Sequence, residues 1–397
     1  MDKGTTIDLV YIDAGGGHLA TAQALEAVIR EQRRPWRVNC VNLTALLDPG
    51  ARFQRLTGVP PERFYNHSLA RGWTFGMGMQ LRLLQSALAL GDEWMVGRLA
   101  AHWQRTRPDM VVSLVPNFNR AIGTAVARAL PGTEFLTVMT DLADLPPRFW
   151  AVPGVEQHLV CGSARAAEQA EALGLEPQRI HRASGMVIRT DFYPPLAIDR
   201  ELERVRLGLQ PGRPTAVVMF GGQGSQEMLQ IERELPDLQL VLMCGHNRAL
   251  ADCLRDARAR APRAVIGFTR DVCHHLQLGD LFIGKPGPGC LSEAVQVGLP
   301  VLTLRNARTL PQERYNTEWV LDHGLGQVLR SWRALRPAVA DVLRRLDDYR
   351  VALARMDNRA VFEVPGLMER LLQPRVARLH AGTETPVRPL REVLHEA

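Results

Sequence analysis

The 397-residue sequence has almost no lysine, and this shortage determines how its positive charge is distributed. Lys3 and Lys285 are the only lysines, so nearly all of the positive charge behind the formal net charge of +6 is carried by arginine. The arginines are spread along the chain, form no basic block and accompany no recognisable nucleic-acid-binding module. We therefore expect no nucleic-acid partner. A mild positive excess suits a nucleotide substrate or an anionic membrane surface.

The sequence also lacks paired cysteines and long apolar runs. Its six cysteines form no C-x-x-C pair and most lie in apolar stretches, which is typical of free thiols in a reducing cytosol. The first residues lead straight into a strand-like run, so we expect no signal peptide. No stretch reaches the roughly 18 apolar residues that a membrane-spanning helix needs. These features predict a cytoplasmic protein whose length suits two domains.

Alternating strand-like and helix-like runs predict an α/β protein built from two successive βα arrays. The first array begins with an apolar strand over residues 6–12, a glycine loop and an amphipathic helix. The pattern breaks over the stretch 190–214 and starts again with a strand over 216–220 and a second glycine loop. We therefore predict two facing doubly wound, Rossmann-like domains with a cleft between them.

The break in the pattern also sets the predicted domain bounds. The predicted divisions are a first domain over 1–192, a linker over 193–214, a second domain over 215–350, a helix over 351–375 that is a candidate to cross back to the first domain, and a tail over 376–397. The tail is polar and has little apolar periodicity, so we expect it to be loosely ordered.

The first glycine loop, Asp13–His18, is not a dinucleotide fingerprint. The spacing G-x-G-x-x-G is absent, and the next strand ends in Asn42 rather than in an acid that would bind a ribose, which disfavours an NAD enzyme. The loop ends in His18, at a helix N-terminus and at the carboxyl edge of the predicted sheet, where open α/β sheets bind ligands. His18 is either a general base or a helix-start residue that makes a local hydrogen bond.

A further glycine loop, between a predicted strand and a predicted helix, lies at Gly284–Ala294. Gly287 and Gly289 allow the backbone to turn sharply and to approach a ligand closely. The helix that opens near Gly289 directs unpaired N–H groups and its positive dipole end into the turn, which suits a phosphate. Glu293 lies about one turn further on, where a carboxylate could accept hydrogen bonds from ribose hydroxyls. The alternative is a tight turn followed by a solvated glutamate.

Two further stretches have open interpretations. Asp141 follows a predicted strand over 134–140 and is either a second catalytic or substrate-orienting carboxylate or the cap of a turn. Residues 53–85 mix aromatic and aliphatic side chains with arginines. They form either helical core or an apolar patch with a cationic rim that docks on an anionic membrane.

The glycine loop Asp13–His18 resembles the D-x-G-G-G-H loop of monogalactosyldiacylglycerol synthases. Those enzymes and MurG belong to one glycosyltransferase family, family 28, with the two-domain GT-B fold. Three more motifs resemble the family's in the same order and at similar spacings: Cys244–Asn247 resembles C-G-x-N, Lys285–Gly289 with Ser292-Glu293-Ala294 resembles K-x-G-x-G…E-A, and Gln312–Asn316 resembles Q-E-x-x-N. The resemblance covers roughly residues 6–330 and implies the GT-B fold.

The resemblance implies a donor site for a UDP-sugar in the second domain and an acceptor site in the first. The implied donor contacts are Gly287 and Gly289 for the pyrophosphate, Glu293 for the ribose, Phe268 and Thr269 for the uracil, Gln312 and Glu313 for the sugar hydroxyls, with Gly16, Gly17, Gly222, Asn247 and Lys285 as further donor-binding candidates. His18 is the implied base that deprotonates the acceptor hydroxyl, with Asp13 or Asp141 as support or rival.

The resemblance also implies the reaction: inverting transfer of a hexose or an N-acetylhexosamine from a UDP-sugar to a lipid such as diacylglycerol. No D-x-D motif occurs, so we expect neither a metal nor another cofactor, with the helix dipole and glycine N–H groups stabilising the leaving UDP. The lipid acceptor implies peripheral contact with an anionic membrane, on the inner face of the plasma membrane.

Two departures from the family pattern leave the acceptor and the sugar open. Asp141 is followed by Leu142–Trp150 without the family's His-Pro, and the loop Gly221–Ser225 lacks the glutamate found in the synthases. Two other functions therefore stay open. One is a UDP-sugar epimerase, which needs two facing nucleotide-binding domains but no lipid. The other is a non-catalytic protein that binds a nucleotide sugar or a lipid.

Overall fold

The computed structural model of the chain consists of two parallel six-stranded sheets with helices on their faces. It describes residues 4–13, 17–48, 50, 55, 92–193, 198–258 and 260–373. The predicted donor contact Gly16, the segment 53–85 apart from residue 55, and the tail 376–397 lie outside this part of the chain. The predicted α/β class with two doubly wound units is confirmed.

The first sheet has the strand order β2-β1-β3-β4-β5-β6, with every pair parallel. Its strands are β1 (Thr5–Tyr11), β2 (Trp36–Asn42), β3 (Met110–Ser113), β4 (Glu134–Val138), β5 (His158–Cys161) and β6 (Ile180–Arg182). Its helices are α1 (Gly17–Glu31), α2 (Leu43–Leu47), α3 (Asp92–Thr106), α4 (Asn119–Ala129) and α5 (Ala164–Ala172).

The second sheet has the order β12-β11-β10-β7-β8-β9, again parallel throughout. Its strands are β7 (Thr215–Met219), β8 (Gln239–Gly245), β9 (Arg263–Gly267), β10 (Leu281–Gly284), β11 (Val301–Leu304) and β12 (Gly326–Leu329). The helices after β6 are α6 (Arg200–Arg206), α7 (Glu227–Glu234), α8 (Arg248–Asp256), α9 (Val272–Gln277), α10 (Pro288–Gln296), α11 (Arg314–Asp322), α12 (Leu335–Arg344), α13 (Leu346–Leu353) and α14 (Ala360–Leu372).

Both sheets reverse their strand order at the point where a glycine loop leaves the sheet. In the first sheet β1 lies between β2 and β3, and in the second sheet β7 lies between β8 and β10. The central strands β3 and β10 are buried along their whole length, as expected for parallel strands covered by helices on both faces. Ligands of open α/β sheets bind outside the carboxyl ends of the strands at such reversals. The fold therefore places three glycine loops, after β1, β7 and β10, at ligand-binding positions.

The last described helix, α14, follows the second sheet in sequence but packs on the first. Its apolar side chains join the core formed by β1, β3, β4 and α1; they are Ala360, Val361, Val364, Leu367, Met368 and Leu371. The helix begins at Ala360 rather than at residue 351, because Leu346–Leu353 forms a separate helix, α13. The chain thus passes twice between the two sheets.

Among the described residues, no helix combines the length and the apolar character that crossing a membrane requires.

Candidate functional site

His18 lies in the first turn of α1, directly after the glycine loop that follows β1. Its Nδ1 lies 2.8 Å from the carbonyl oxygen of Leu114 and 3.0 Å from Oγ1 of Thr140. A carbonyl oxygen can only accept a hydrogen bond, so the Leu114 contact places the ring proton on Nδ1 and the lone pair on Nε2. Burial lowers the pKa of His18 to about 4, and the hydrogen bond to Leu114 opposes this change. At neutral pH the ring is therefore uncharged and can accept a proton at Nε2.

Asp141 lies just beyond the carboxyl end of β4 and is 7% exposed. Burial raises the pKa of this carboxyl group to about 7, and the hydrogen bond that Trp150 Nε1 donates to Oδ2 at 3.0 Å acts in the opposite direction. Repulsion by Glu313 and attraction by Lys285 also affect the pKa. Both residues belong to the second sheet's side of the molecule, so Asp141 faces the second domain across the cleft.

The loop after Asp141 is held by Asp144, a residue to which the sequence assigned no role. Its carboxylate accepts hydrogen bonds from the backbone N–H of Trp150 at 2.7 Å and of Arg148 at 3.0 Å. The carbonyl of Trp150 in turn accepts a hydrogen bond from Asn119 Nδ2 at 3.0 Å. Buried backbone groups are thus satisfied by side chains, and the indole of Trp150 is held against Asp141.

The loop after β10 is fixed by hydrogen bonds from α11 and from the neighbouring strand β11. Asn316 Nδ2 donates to the carbonyl of Pro286 at 2.8 Å, and Thr303 Oγ1 donates to that of Gly284 at 2.8 Å. Gly287 is the N-cap of α10 and Pro288 its first residue, a position where the missing proline N–H costs no hydrogen bond. A Cβ at Gly289 would meet no atom within 4 Å, so the start of α10 is open to a ligand.

Lys285 and Glu313 connect this loop to the segment before α11. Lys285 Nζ lies 3.1 Å from Glu313 Oε1, and Glu313 is 6% exposed. Both residues line a cavity of about 90 Å³ together with Gly222 and the rest of the loop after β7. The cavity therefore joins two of the three glycine loops at a lysine and a carboxylate.

Gln312 has a polar atom that its surroundings leave unsatisfied. Its Oε1 is buried and has no hydrogen-bond partner among the residues that the structure describes. Buried side-chain oxygens in native proteins usually have a partner, and an exception often marks a ligand or water position. A hydroxyl group brought in by a ligand would satisfy this oxygen.

Glu293 lies in α10, close to the segment that joins the two domains. Burial raises its pKa to about 7, the positive charge of Arg189 lowers it, and the negative charge of Asp191 raises it. Arg189 also donates from Nη1 to the carbonyl of Arg270 at 2.8 Å, which ties the interdomain segment to the loop after β9. Glu293 is therefore set in a charged environment shared by both domains.

The remaining predicted contacts occupy different positions. Asp13 and Gly17 lie exposed on either side of the loop after β1. The side chain of Asn247 accepts a hydrogen bond from the backbone N–H of Leu250 at 3.1 Å and caps α8, which gives this residue a structural role. Phe268 is 57% exposed at the carboxyl end of β9, and Thr269 Oγ1 accepts from the N–H of Asp271.

Taken in space, the predicted residues form two groups on opposite sides of one cleft. His18 and Asp141 lie at the carboxyl edge of the first sheet. Lys285, Glu313 and the start of α10 lie at that of the second. In the sequence, Trp150 belongs only to a stretch that departs from the family pattern. Its hydrogen bond to Asp141 could not be predicted from the sequence, because it depends on the turn between the two residues.

Curated relatives of the chain are chloroplastic galactolipid synthases. The chain is 27% identical over 359 residues to monogalactosyldiacylglycerol synthase 1 of Arabidopsis thaliana, an alignment that covers 86% of this chain and 65% of that protein. It is 29% identical over 399 residues to probable monogalactosyldiacylglycerol synthase 2 of Oryza sativa subsp. indica, covering 92% and 80%. No family model matches. The resemblance indicated by the four motifs is confirmed.

Solved structures show the same fold at low sequence identity. The MurG structure of Acinetobacter baumannii aligns with a TM-score of 0.54 at 15% identity, covering 92% of this chain and 99% of that one. A putative UDP-N-acetylglucosamine 2-epimerase from Listeria monocytogenes aligns with a TM-score of 0.55 at 15% identity, covering 97% and 98%. The predicted GT-B architecture is confirmed, and the fold alone does not separate a transferase from an epimerase.

Proposed function

We propose that this chain, which has the GT-B fold and resembles monogalactosyldiacylglycerol synthases over most of its length, transfers a hexose or an N-acetylhexosamine from a UDP-sugar to a lipid acceptor such as diacylglycerol. The observation that carries the proposal is the arrangement across the cleft. A neutral imidazole with its lone pair on Nε2 lies at one carboxyl edge, and an open helix N-terminus beside Lys285 lies at the other.

In the proposed reaction the acceptor hydroxyl attacks the anomeric carbon of the sugar in line with the leaving UDP. The new carbon–oxygen bond forms as the bond to the β-phosphate oxygen breaks, so the configuration at the anomeric carbon inverts. The proton of the hydroxyl passes to His18, with Asp141 as the rival acceptor. The N–H groups at the start of α10 and the charge of Lys285 stabilise the negative charge that develops on UDP, without a metal ion.

The donor is held by residues of the second domain. The diphosphate approaches the backbone at Gly222, Gly287 and Gly289. Glu293 accepts hydrogen bonds from the ribose hydroxyls, and the uracil lies against Phe268 and Thr269. Gln312 and Glu313 contact the sugar hydroxyls. The unsatisfied Oε1 of Gln312 supports this assignment, because a sugar hydroxyl supplies the donor it lacks.

We also propose that the protein binds an anionic membrane peripherally, on its cytoplasmic face, to reach the lipid acceptor. The net charge of +6 supports this, since arginine side chains that come within about a Debye length of the membrane are attracted to anionic headgroups.

The test is UDP release from a panel of UDP-sugars, with and without diacylglycerol in vesicles that contain an anionic phospholipid. We expect release from one sugar, dependent on diacylglycerol, and a loss of about 10²- to 10⁴-fold in turnover in His18→Ala with UDP affinity unchanged. His275→Ala, which removes another imidazole of the chain, is the matched control.

Two results would contradict the proposal and name its rivals. Interconversion of UDP-sugars without lipid and without UDP release would establish an epimerase. Saturable UDP-sugar binding with no turnover on any lipid would establish a binding protein.

A further inference from the structure

Two aromatic rings stack at the carboxyl edge of the second sheet. The ring centroids of His246 and Phe268 lie 3.9 Å apart and the ring planes differ by 18°. His246 follows β8 and Phe268 follows β9, and these strands are neighbours, so the stack lies where an open sheet binds its ligand. Phe268 is nevertheless 57% exposed. A phenyl ring that is packed on another ring and still largely open to solvent offers a flat apolar surface for a planar group.

The backbone of His246 is fixed on the neighbouring glycine loop. Its N–H donates to the carbonyl oxygen of Gly222 at 2.8 Å. Gly245 adopts a φ of +57°, and a Cβ there would lie 2.1 Å from the same oxygen, so only glycine allows this approach. On the other side, Asn247 is held as the cap of α8. The imidazole therefore projects from a backbone that is anchored at both ends.

Phe268 has less support of its own. It lies in the short segment between β9 and α9, where Thr269 accepts from Asp271 N–H and Arg189 donates to the Arg270 carbonyl. These contacts hold the backbone but do not fix the rotamer of the exposed phenyl ring. Stacking on the imidazole favours one orientation of the phenyl ring before a ligand arrives.

We propose that His246 is a positioning residue, whose ring holds Phe268 in the orientation that receives the base of the donor nucleotide. The inference rests on the proposed function, which assigns the uracil to Phe268 and Thr269. His246 also joins two parts of the donor site, because its backbone contacts the glycine loop at Gly222 while its ring contacts the base platform.

The experiment measures the dissociation constant of UDP and the inhibition constant of inorganic pyrophosphate on the full chain. We expect His246→Ala to weaken UDP binding by about 2- to 12-fold, the equilibrium equivalent of one aromatic pair. Pyrophosphate has no base, so its inhibition constant stays unchanged. In turnover the Michaelis constant for the UDP-sugar rises by the same factor and kcat does not change.

His246→Phe restores a planar ring and should return UDP affinity to within about twofold of the wild type. The matched control is His323→Ala, which removes an imidazole that contacts Trp319 at a centroid distance of 5.4 Å elsewhere in the same domain. We expect it to change neither constant. Melting temperatures of all variants report whether any of them is misfolded. If His246→Ala is unstable, His246→Leu, which also removes the aromatic ring, takes its place with the same expected loss of UDP affinity.

Three results overturn the proposal, and they differ from a failure of the proposed function. UDP affinity unchanged in His246→Ala would show that the stack contributes nothing to base binding. Equal losses for UDP and pyrophosphate would show that the residue acts through the Gly222 loop, and a failure of His246→Phe to restore affinity would show that ring stacking is not the cause. No UDP binding by the wild type would instead refute the proposed function, and this inference with it.

Discussion

The pH dependence of kcat will distinguish His18 from Asp141 as the group that takes the acceptor proton. Burial shifts the two pKa values in opposite directions: it lowers that of His18 to about 4 and raises that of Asp141 to about 7. Each is active as a base only when deprotonated, above its own pKa. We expect His18 to be the base, because its Nδ1 contact with Leu114 leaves the lone pair on Nε2.

The size of the difference follows from these two values. At pH 5.5 a group with a pKa of about 4 is still about 97% deprotonated, whereas one with a pKa of about 7 is only about 3% deprotonated. With His18 as the base, kcat should therefore vary less than about twofold between pH 5.5 and 8. With Asp141 as the base it should fall roughly 30-fold over the same range.

The assay is UDP release at saturating donor and acceptor, for the wild type and for Asp141→Asn. Saturation matters because the pKa of Glu293 is also raised to about 7, and a ribose contact that titrates would otherwise lower kcat/KM in acid. Asp141→Asn keeps an oxygen for the Trp150 N–H and should lose less than about tenfold in kcat, since it removes only a neighbouring charge.

One outcome would refute the reasoning directly. If wild-type kcat falls about tenfold per pH unit below pH 7, and Asp141→Asn is both slower by 10² or more and independent of pH, then Asp141 is the base. His18 would then be a residue that orients the loop after β1.

Three further predictions concern stability and access to the site. The pKa of Asp141 is higher in the folded than in the unfolded state, so the wild type loses stability as the pH rises from about 4 through 7. The free energy of unfolding of Asp141→Asn should therefore exceed that of the wild type by a few kcal/mol at pH 8 and equal it at pH 4. An equal gain at both pH values in chemical denaturation would contradict this. Arg204 is 2% exposed and donates to the Leu278 carbonyl and to Asp280, so Arg204→Ala should lower the free energy of unfolding by about 3–5 kcal/mol. Arg206 is exposed, and Arg206→Ala should lower it by less than about 0.5 kcal/mol. Similar losses in the two variants would refute this. Because Lys3 and Lys285 are the only lysines, peptide mass spectrometry can follow the acylation of both by an amine-reactive reagent. UDP at ten times its Kd should slow acylation of Lys285 about tenfold and leave that of Lys3 unaffected. Equal labelling of Lys285 with and without UDP would place the diphosphate elsewhere.

The parts of the fold that the sequence predicted are those that depend on local order along the chain. Each glycine loop lies between an apolar strand and a helix, so the loops after β1, β7 and β10 were recognisable from a few residues. Parallel strands then bring their carboxyl ends to one edge, which is why His18 and Asp141 were correctly placed at the same side of a sheet.

The contacts that the sequence missed depend on which strands become neighbours. His246 and Phe268 stack only because β8 and β9 are adjacent. Asp144 acts on Trp150 through a turn whose shape no periodic pattern specifies. The cap that Asn247 makes on α8 was also missed, because the motif match alone does not show which local hydrogen bonds its residues make.

The break before α14 likewise comes from a distant contact. Asn358 donates from Nδ2 to the carbonyl of Met186 at 2.8 Å and accepts from the N–H of Ala360, while the N–H of Arg359 donates to Ser184 Oγ. Gly185 leaves room for this, since a Cβ there would lie 2.7 Å from the Asn358 side chain. A residue some 170 positions away therefore sets where the helix begins.

The return of α14 to the first sheet has a consequence for how the protein is made. Strand β6 ends at Arg182, and roughly 180 further residues must be synthesised before Ala360 appears. At about 5–20 residues per second, the ribosome needs on the order of 10 to 40 s for this stretch. During that time the first sheet exposes the apolar surface that Val361, Val364 and Met368 later cover. We therefore expect chaperones to bind the nascent chain until α14 emerges, and a truncation before residue 360 to leave that surface open permanently.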